Sequence, residues 1–175
     1  MAIPQVRRLT REDLPAVMHI QGFCYSTEYI EPLQTMLDHI DIGHPCWIAT
    51  IDEAPVGYLL CATMSNDTFP APLELGGHRI TNQNDGPNNW LYLHDLAVLP
   101  SARGLGISSL LLNMAWETAA QSTTLARCAL VAVQKSKAFW ESLGFTEAQT
   151  RCPEIDTKLT RYGPDACYMW RSLRE

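Results

Sequence analysis

Apolar and polar positions along the chain follow two rhythms, one of period two and one near 3.6, that alternate from end to end. IPQVRRL reads as a first strand. Thr10 follows as a helix cap with Asp13 three residues on, a weaker form of the capping box. Leu14, Val17 and Met18 then recur at helical spacing. A second helix is expected from Glu31 to Ile40, with Leu33, Met36, Leu37 and Ile40 as its apolar stripe. CWIAT and VGYLLCATM read as two strands joined through DEAP, a hairpin signal. From Ser65 to Asn89 neither rhythm holds, and Asn, Gly and Pro dominate. A loop of that length inside a compact domain is expected to be a functional lid or a mobile segment.

The pattern sharpens again at WLYLHDLAV, a fourth strand. The helix that follows carries Ile107, Leu110, Leu111, Met114, Ala115 and Ala119 on one face. ARCALVAV is a fifth strand, and SKAFWESLGF a short helix with Phe139, Trp140 and Leu143 inward. Gly144 stands where a left-handed C-terminal cap belongs, and Phe145 can pack back over it. CYMW in the tail supplies at least one more strand. Strands and helices mixed in this order predict a single α+β domain over residues 1–175, built around a central sheet.

Composition narrows the function classes. The chain has 175 residues, 46% hydrophobic and 18% charged, which suits a globular domain. Thirteen Lys and Arg stand against 19 Asp and Glu, a net charge of -6 with no basic run, so nucleic acid is not an expected partner. An acidic surface tolerates a cationic substrate. MAIPQVRRLTREDL lacks the apolar core of a signal peptide, and no apolar run approaches the ~18 residues of a membrane span. A soluble, cytoplasmic protein with no membrane partner is therefore expected. The six cysteines include no CxxC pair; Cys24, Cys46, Cys61 and Cys128 sit among apolar neighbours and are expected to be buried reduced thiols. His44 and Cys46 flank Pro45 but fall short of a zinc site's tetrahedral set, so no metal is expected.

The candidate chemistry lies where the fourth strand meets its helix, at Arg103-Gly104-Leu105-Gly106-Ile107-Ser108. Main-chain N–H groups at a helix start are unpaired, and the helix dipole adds partial positive charge. Glycines let the backbone approach an anion, so this turn can cradle a phosphate with Arg103 at its rim. Two glycines can also simply make a tight turn. The stretch is not a P-loop, lacking GxxxxGK[ST]. Nor is it GxGxxG, because Ser109 stands where the third glycine belongs.

The same stretch resembles the [Q/R]xxGx[G/A] acyl-CoA signature of the GNAT superfamily of N-acetyltransferases, and AFWESLGF is similar to that family's FYxxxGF signature. The resemblance runs from about Val6 to the C-terminus. It implies a GNAT-like fold, a mostly antiparallel sheet of about seven strands flanked by about four helices. It also implies acetyl-CoA as co-substrate, and its members are often homodimers. LYLHDLAVLP, the long loop before it and KAFWESLGF look most like the arylalkylamine N-acetyltransferases, whose paired histidines fall here at Tyr92 and His94. By this likeness, backbone groups of Leu96, Ala97 and Val98 pair with the pantetheine arm and the acetyl carbonyl. Amides of Gly104, Leu105, Gly106, Ile107, Ser108 and Ser109 hold the pyrophosphate, and the amine enters beneath the Ser65–Asn89 loop. Two departures stand out: Ser108 replaces a Gly or Ala, and Trp140 replaces a tyrosine that protonates the departing thiolate.

Acetyl transfer needs a free amine lone pair, and an alkylamine is only about one part in a thousand unprotonated at neutral pH. His94 fits the required base; a histidine satisfied by a backbone carbonyl is the plainer reading of the same residue. Strand alternation puts Tyr92 on the same face, as a proton relay or an ordinary strand aromatic, and Asp95 on the opposite face unless a bulge redirects it. Trp140 is expected to wall the acyl-CoA channel or pack the core. An indole cannot release its proton, so Tyr25, Tyr29 or Tyr168 could serve as the acid, or none is needed. The function expected is acetyl transfer from acetyl-CoA to a primary amine of a small molecule. The alternatives are a non-catalytic acyl-CoA binding or sensing module and a nucleotide-phosphate binder.

Overall fold

The computed structural model describes residues 3–64, 89–149 and 153–174. Seven strands form one sheet: β1 (Gln5–Arg8), β2 (Cys46–Ile51), β3 (Ala54–Met64), β4 (Trp90–Val98), β5 (Arg127–Ala132), β6 (Thr146–Glu147) and β7 (Cys167–Ser172). Their spatial order is β1-β2-β3-β4-β5-β7-β6. Neighbours run antiparallel except β4 and β5, which are parallel. The expected α+β class and strand number are both observed. The helices are α1 (Leu14–Cys24), α2 (Leu33–Asp41), α3 (Ile107–Gln121), α4 (Lys137–Ser142) and α5 (Pro153–Leu159).

The β2–β3 hairpin turns on Asp52 and Glu53, whose φ values of 47° and 65° are both left-handed, as a type I′ turn requires. Ahead of α1, the Asp13 carboxylate accepts from the Thr10 main-chain N–H at 2.9 Å, the return half of the capping box. It also takes two Arg7 donors at 2.7 Å. Gly144, at φ 83°, closes α4 as expected.

The sheet separates two layers. Leu59, Cys61, Leu91, Leu93 and Leu130 face α3 with Ile107, Leu111 and Ala115. Tyr58, Leu60 and Ala97 face the other way, against Val17, Ile20 and Met36 of α1 and α2. Farther along that second face, Ala62, Tyr92 and Ala129 meet Ile155 and Leu159 of α5. Gly57 of β3 lets α3 come close, since a Cβ there would lie 2.9 Å from the Ala97 carbonyl and 3.2 Å from Ile107.

Several expectations need correction. Pro32 delays α2 to Leu33, so Leu33 sits in its first turn, 47% exposed, while Thr35 and His39 are buried instead. On α3, Leu112 is buried and Leu110 exposed. Phe139 is exposed rather than inward, because α4 is too short to present more than Trp140 to the core. Cys24 is half-buried, while Cys46, Cys61 and Cys128 are buried and free as expected. The Ser65–Asn89 segment lies outside the described residues except for Asn89. Among those described, no helix is long and apolar enough to cross a membrane.

Candidate active site

β4 and β5 pair only from Trp90↔Arg127 to Leu93↔Leu130. Beyond Leu93, β4 continues to Val98 while β5 stays with β7, so the two strands part. Their divergence leaves main-chain groups of β4 without a β5 partner and opens a cleft of about 420 Å³. His94, Leu96, Ala97 and Val98 line one wall, and Leu130, Val131 and Gln134 the other.

A bulge shapes the β4 wall. Leu60 of β3 faces Asp95 and Cys61 faces Leu93, so His94 is the extra residue. The strand loses its alternation there, and His94 and Asp95 project to the same side, towards α1 and α2. Of the two placements the sequence left open for Asp95, the bulge selects this one. Its carboxylate accepts from Tyr25 and Tyr58 hydroxyls, each at 2.5 Å. Burial raises the Asp95 pKa, opposed by those two hydrogen bonds.

His94 is the centre of a polar cluster on that side. Its side chain is 4% exposed, and Nε2 lies 2.9 Å from Oε1 of Glu31, in an ion-pair contact rather than a well-aligned hydrogen bond. Nδ1 is buried with no partner among the described residues. His39 stacks on the ring at 4.7 Å between centroids, and Tyr92 stands at 6.0 Å. Burial disfavours the charged imidazole, but the Glu31 carboxylate outweighs it, and the His94 pKa is raised. Among the described residues, His39 and His44 have no such carboxylate. Burial holds the His39 pKa well below 6.5 and brings that of His44 to about 4.

The glycine turn lies at the other end of the cleft. Gly104 and Gly106 take left-handed φ values of 79° and 77°, and a Cβ on either would meet no heavy atom within 4 Å. Backbone conformation, not crowding, therefore calls for glycine. The first amide here with a main-chain partner is Leu110, bonded to Gly106 O at 3.1 Å. The N–H groups of residues 104–109 have no main-chain partner among the described residues, as an anion cradle needs. Arg103 and Ser108 line the cleft beside them.

Of the residues singled out from the sequence, Tyr92, His94, Leu96, Ala97, Val98, Arg103, Ser108 and Trp140 meet in this one cleft. Gly104, Leu105, Gly106, Ile107 and Ser109 contribute the adjoining main chain, and the Ile107 side chain is core. Trp140 both lines the cleft and packs edge-on against Phe145, ring centroids 5.5 Å apart. Tyr25 and Tyr29 line the cleft. Tyr168 packs instead in the core beneath α5. Sequence reasoning missed Glu31, Gln21, His39 and Tyr162, which reach the site from loops and helix faces with no motif to mark them. No group of three or more metal-ligating side chains occurs among the described residues.

A parallel strand pair thus parts beside a helix N-terminus, with amides that lack main-chain partners among the described residues at one end of the cleft and a buried histidine–carboxylate pair at the other. The chain belongs to the GNAT acetyltransferase family, whose profile matches residues 14–145. It is similar in fold to the loading GNATL domain of CurA from Lyngbya majuscula, with 13% identity over 98% of each chain and a TM-score of 0.73. The ribosomal-protein-S18-alanine N-acetyltransferase from Escherichia coli is 16% identical over 99% of this chain and 96% of its own, with a TM-score of 0.68. The PaiA N-acetyltransferase from Thermoplasma acidophilum, in complex with coenzyme A, is 16% identical over 97% and 99%, with a TM-score of 0.67. No curated protein sequence matches the chain.

Proposed function

We propose that this protein transfers an acetyl group from acetyl-CoA to a primary amine of a small molecule, by direct attack with His94 as general base. The observation that carries this reading is one cleft with a glycine turn and its free main-chain amides at one end and the buried His94–Glu31 pair at the other. Arg103 and the 104–109 amides would hold the pyrophosphate, and backbone groups of Leu96, Ala97 and Val98, where β4 has no β5 partner, would pair with the pantetheine arm and the acetyl carbonyl. Glu31 and Asp95 make the far end acidic, which favours a cationic amine.

In the reaction the amine nitrogen forms a bond to the acetyl carbon, its proton passes to His94 directly or through one water, and the C–S bond breaks to release CoA thiolate. Tyr92, hydrogen-bonded with Tyr162, sits beside that proton path. Trp140 cannot protonate the thiolate. Tyr25, Tyr29 and Tyr162 line the cleft, the Tyr25 and Tyr29 hydroxyls donating to Asp95 and to the Tyr162 carbonyl, and a thiol pKa near ~8.5 lets the thiolate leave unaided. The likeness to arylalkylamine N-acetyltransferases makes aromatic alkylamines the first substrates to try.

The test is free-thiol release from acetyl-CoA across arylalkylamines, polyamines, aminoglycosides and short peptides, with calorimetric CoA binding alongside. Turnover on a small amine is the expected result. CoA binding without turnover on any of them, unaffected by His94→Ala, would make the protein a non-catalytic acyl-CoA binding module.

A further inference from the structure

A loop carboxylate beside a buried imidazole calls for an account of what holds it there. Glu31 lies just before α2, outside any helix or strand. Its main chain is gripped by one side chain of α1: the Gln21 Oε1 accepts from the Glu31 N–H at 2.6 Å, and the Gln21 Nε2 donates to the Glu31 carbonyl at 3.2 Å. Gln21 is fully buried, and its amide is spent on this clamp and on a 3.7 Å contact with the Met18 sulfur. A buried amide in an apolar helix face costs stability unless paired, so its pairing with one loop residue ties that residue's position to α1.

We propose that Glu31 is a positioning residue: clamped by Gln21, its carboxylate keeps the His94 ring with Nε2–H towards itself and so makes Nδ1 the nitrogen that takes the proton. The inference rests on His94 being the base. An imidazole whose Nε2 faces a carboxylate at 2.9 Å carries its hydrogen there, which leaves the Nδ1 lone pair free. The amine proton moves to Nδ1, and the resulting imidazolium retains Nε2–H against the carboxylate, so the positive charge forms next to a negative one. Among the described residues, Asp95 adds a weaker attraction of the same sign, and Glu31 is the larger. His39 from α2 and His44 from the turn after it are neutral. Tyr92 is a neutral phenol, and both Asp95 oxygens are engaged by Tyr25 and Tyr58. The His39 Nδ1 faces the Cys61 carbonyl at 3.2 Å and carries a hydrogen there, while burial keeps the stacked ring neutral.

The experiment is ¹⁵N-histidine NMR of the resting protein, in wild type, Glu31→Gln and Gln21→Leu, joined to pH profiles of kcat/KM. The expected wild-type spectrum has His94 protonated at Nε2, with Nδ1 as the bare nitrogen. Glu31→Gln is expected to lower the His94 titration midpoint, move the acid limb of kcat/KM the same way, and reduce kcat by up to about a hundredfold with CoA affinity retained. Gln21→Leu keeps the volume and loses the clamp, and should mix the two tautomers. A wild-type ring protonated at Nδ1, or a midpoint indifferent to Glu31→Gln, would overturn the proposal even with His94→Gln inactive. Full turnover by His94→Gln would instead remove the base itself while the NMR still reported the ring's orientation.

Discussion

The Tyr29 hydroxyl donates to the main-chain oxygen of Tyr162 at 2.7 Å, tying the segment before α2 to the turn after α5, with both residues lining the cleft. A segment near each end of the chain thereby borders the cleft. Tyr29→Phe removes the bond and keeps the ring. A hydrogen bond of this kind contributes about 1 kcal/mol. The amine KM should rise about fivefold, with CoA affinity unchanged by calorimetry. Equal weakening for both substrates would mean the tie supports the whole fold rather than the amine end.

His94 should set the acid limb of the pH profile. Its pKa is raised, so the free base fills only above the ordinary 6.5, and kcat/KM should climb with pH through a midpoint above that value. His94→Ala should flatten this limb and lower kcat by about two to four orders of magnitude. Stopped assays from pH 5.5 to 9 on both proteins check it; an identical limb in the variant would exclude His94.

Gly106 carries a different burden. At φ 77° any L side chain adds about 1–2 kcal/mol of strain, and Gly106→Val adds bulk where the open side of the turn would meet the pyrophosphate. CoA affinity should fall at least about tenfold, equivalent to ~1.4 kcal/mol. Calorimetry that found normal CoA binding would remove the cradle.

His44 predicts an acid-labile fold. Its folded pKa of about 4 lies below the ordinary 6.5, so the unfolded chain binds more protons between those values, and stability falls as pH drops through that window. The loss traceable to this residue is about 3 kcal/mol. Urea titrations at pH 7 and pH 4.5 should therefore show a smaller difference for His44→Gln than for wild type.

The parts of this architecture that repeat a rhythm were readable from the sequence, and the parts that depend on distant encounters were not. β2 to β5 and α3 are runs of apolar residues with clear periods, and the glycine turn announces itself by residue type. α5 escaped notice because its buried residues, among those described, are Ile155 and Leu159, one turn apart. Gln21, Glu31 and His94 form a chain across α1, a loop and β4, and no local pattern in any of the three reports the other two. The side taken by Asp95 stayed open for a sharper reason: period two holds along β4 on each side of His94 but not across it.

That bulge makes residue count in β4 as consequential as residue identity. Deleting His94 would let the strand resume simple alternation against β3 with Asp95 still opposite Leu60, so everything downstream would keep its side. What would vanish is the one position at which a second polar side chain joins Asp95 on the face towards α1 and α2. A graft of this strand into a related scaffold must therefore carry the insertion with it, since a regular strand would preserve the sheet and lose the place that His94 occupies.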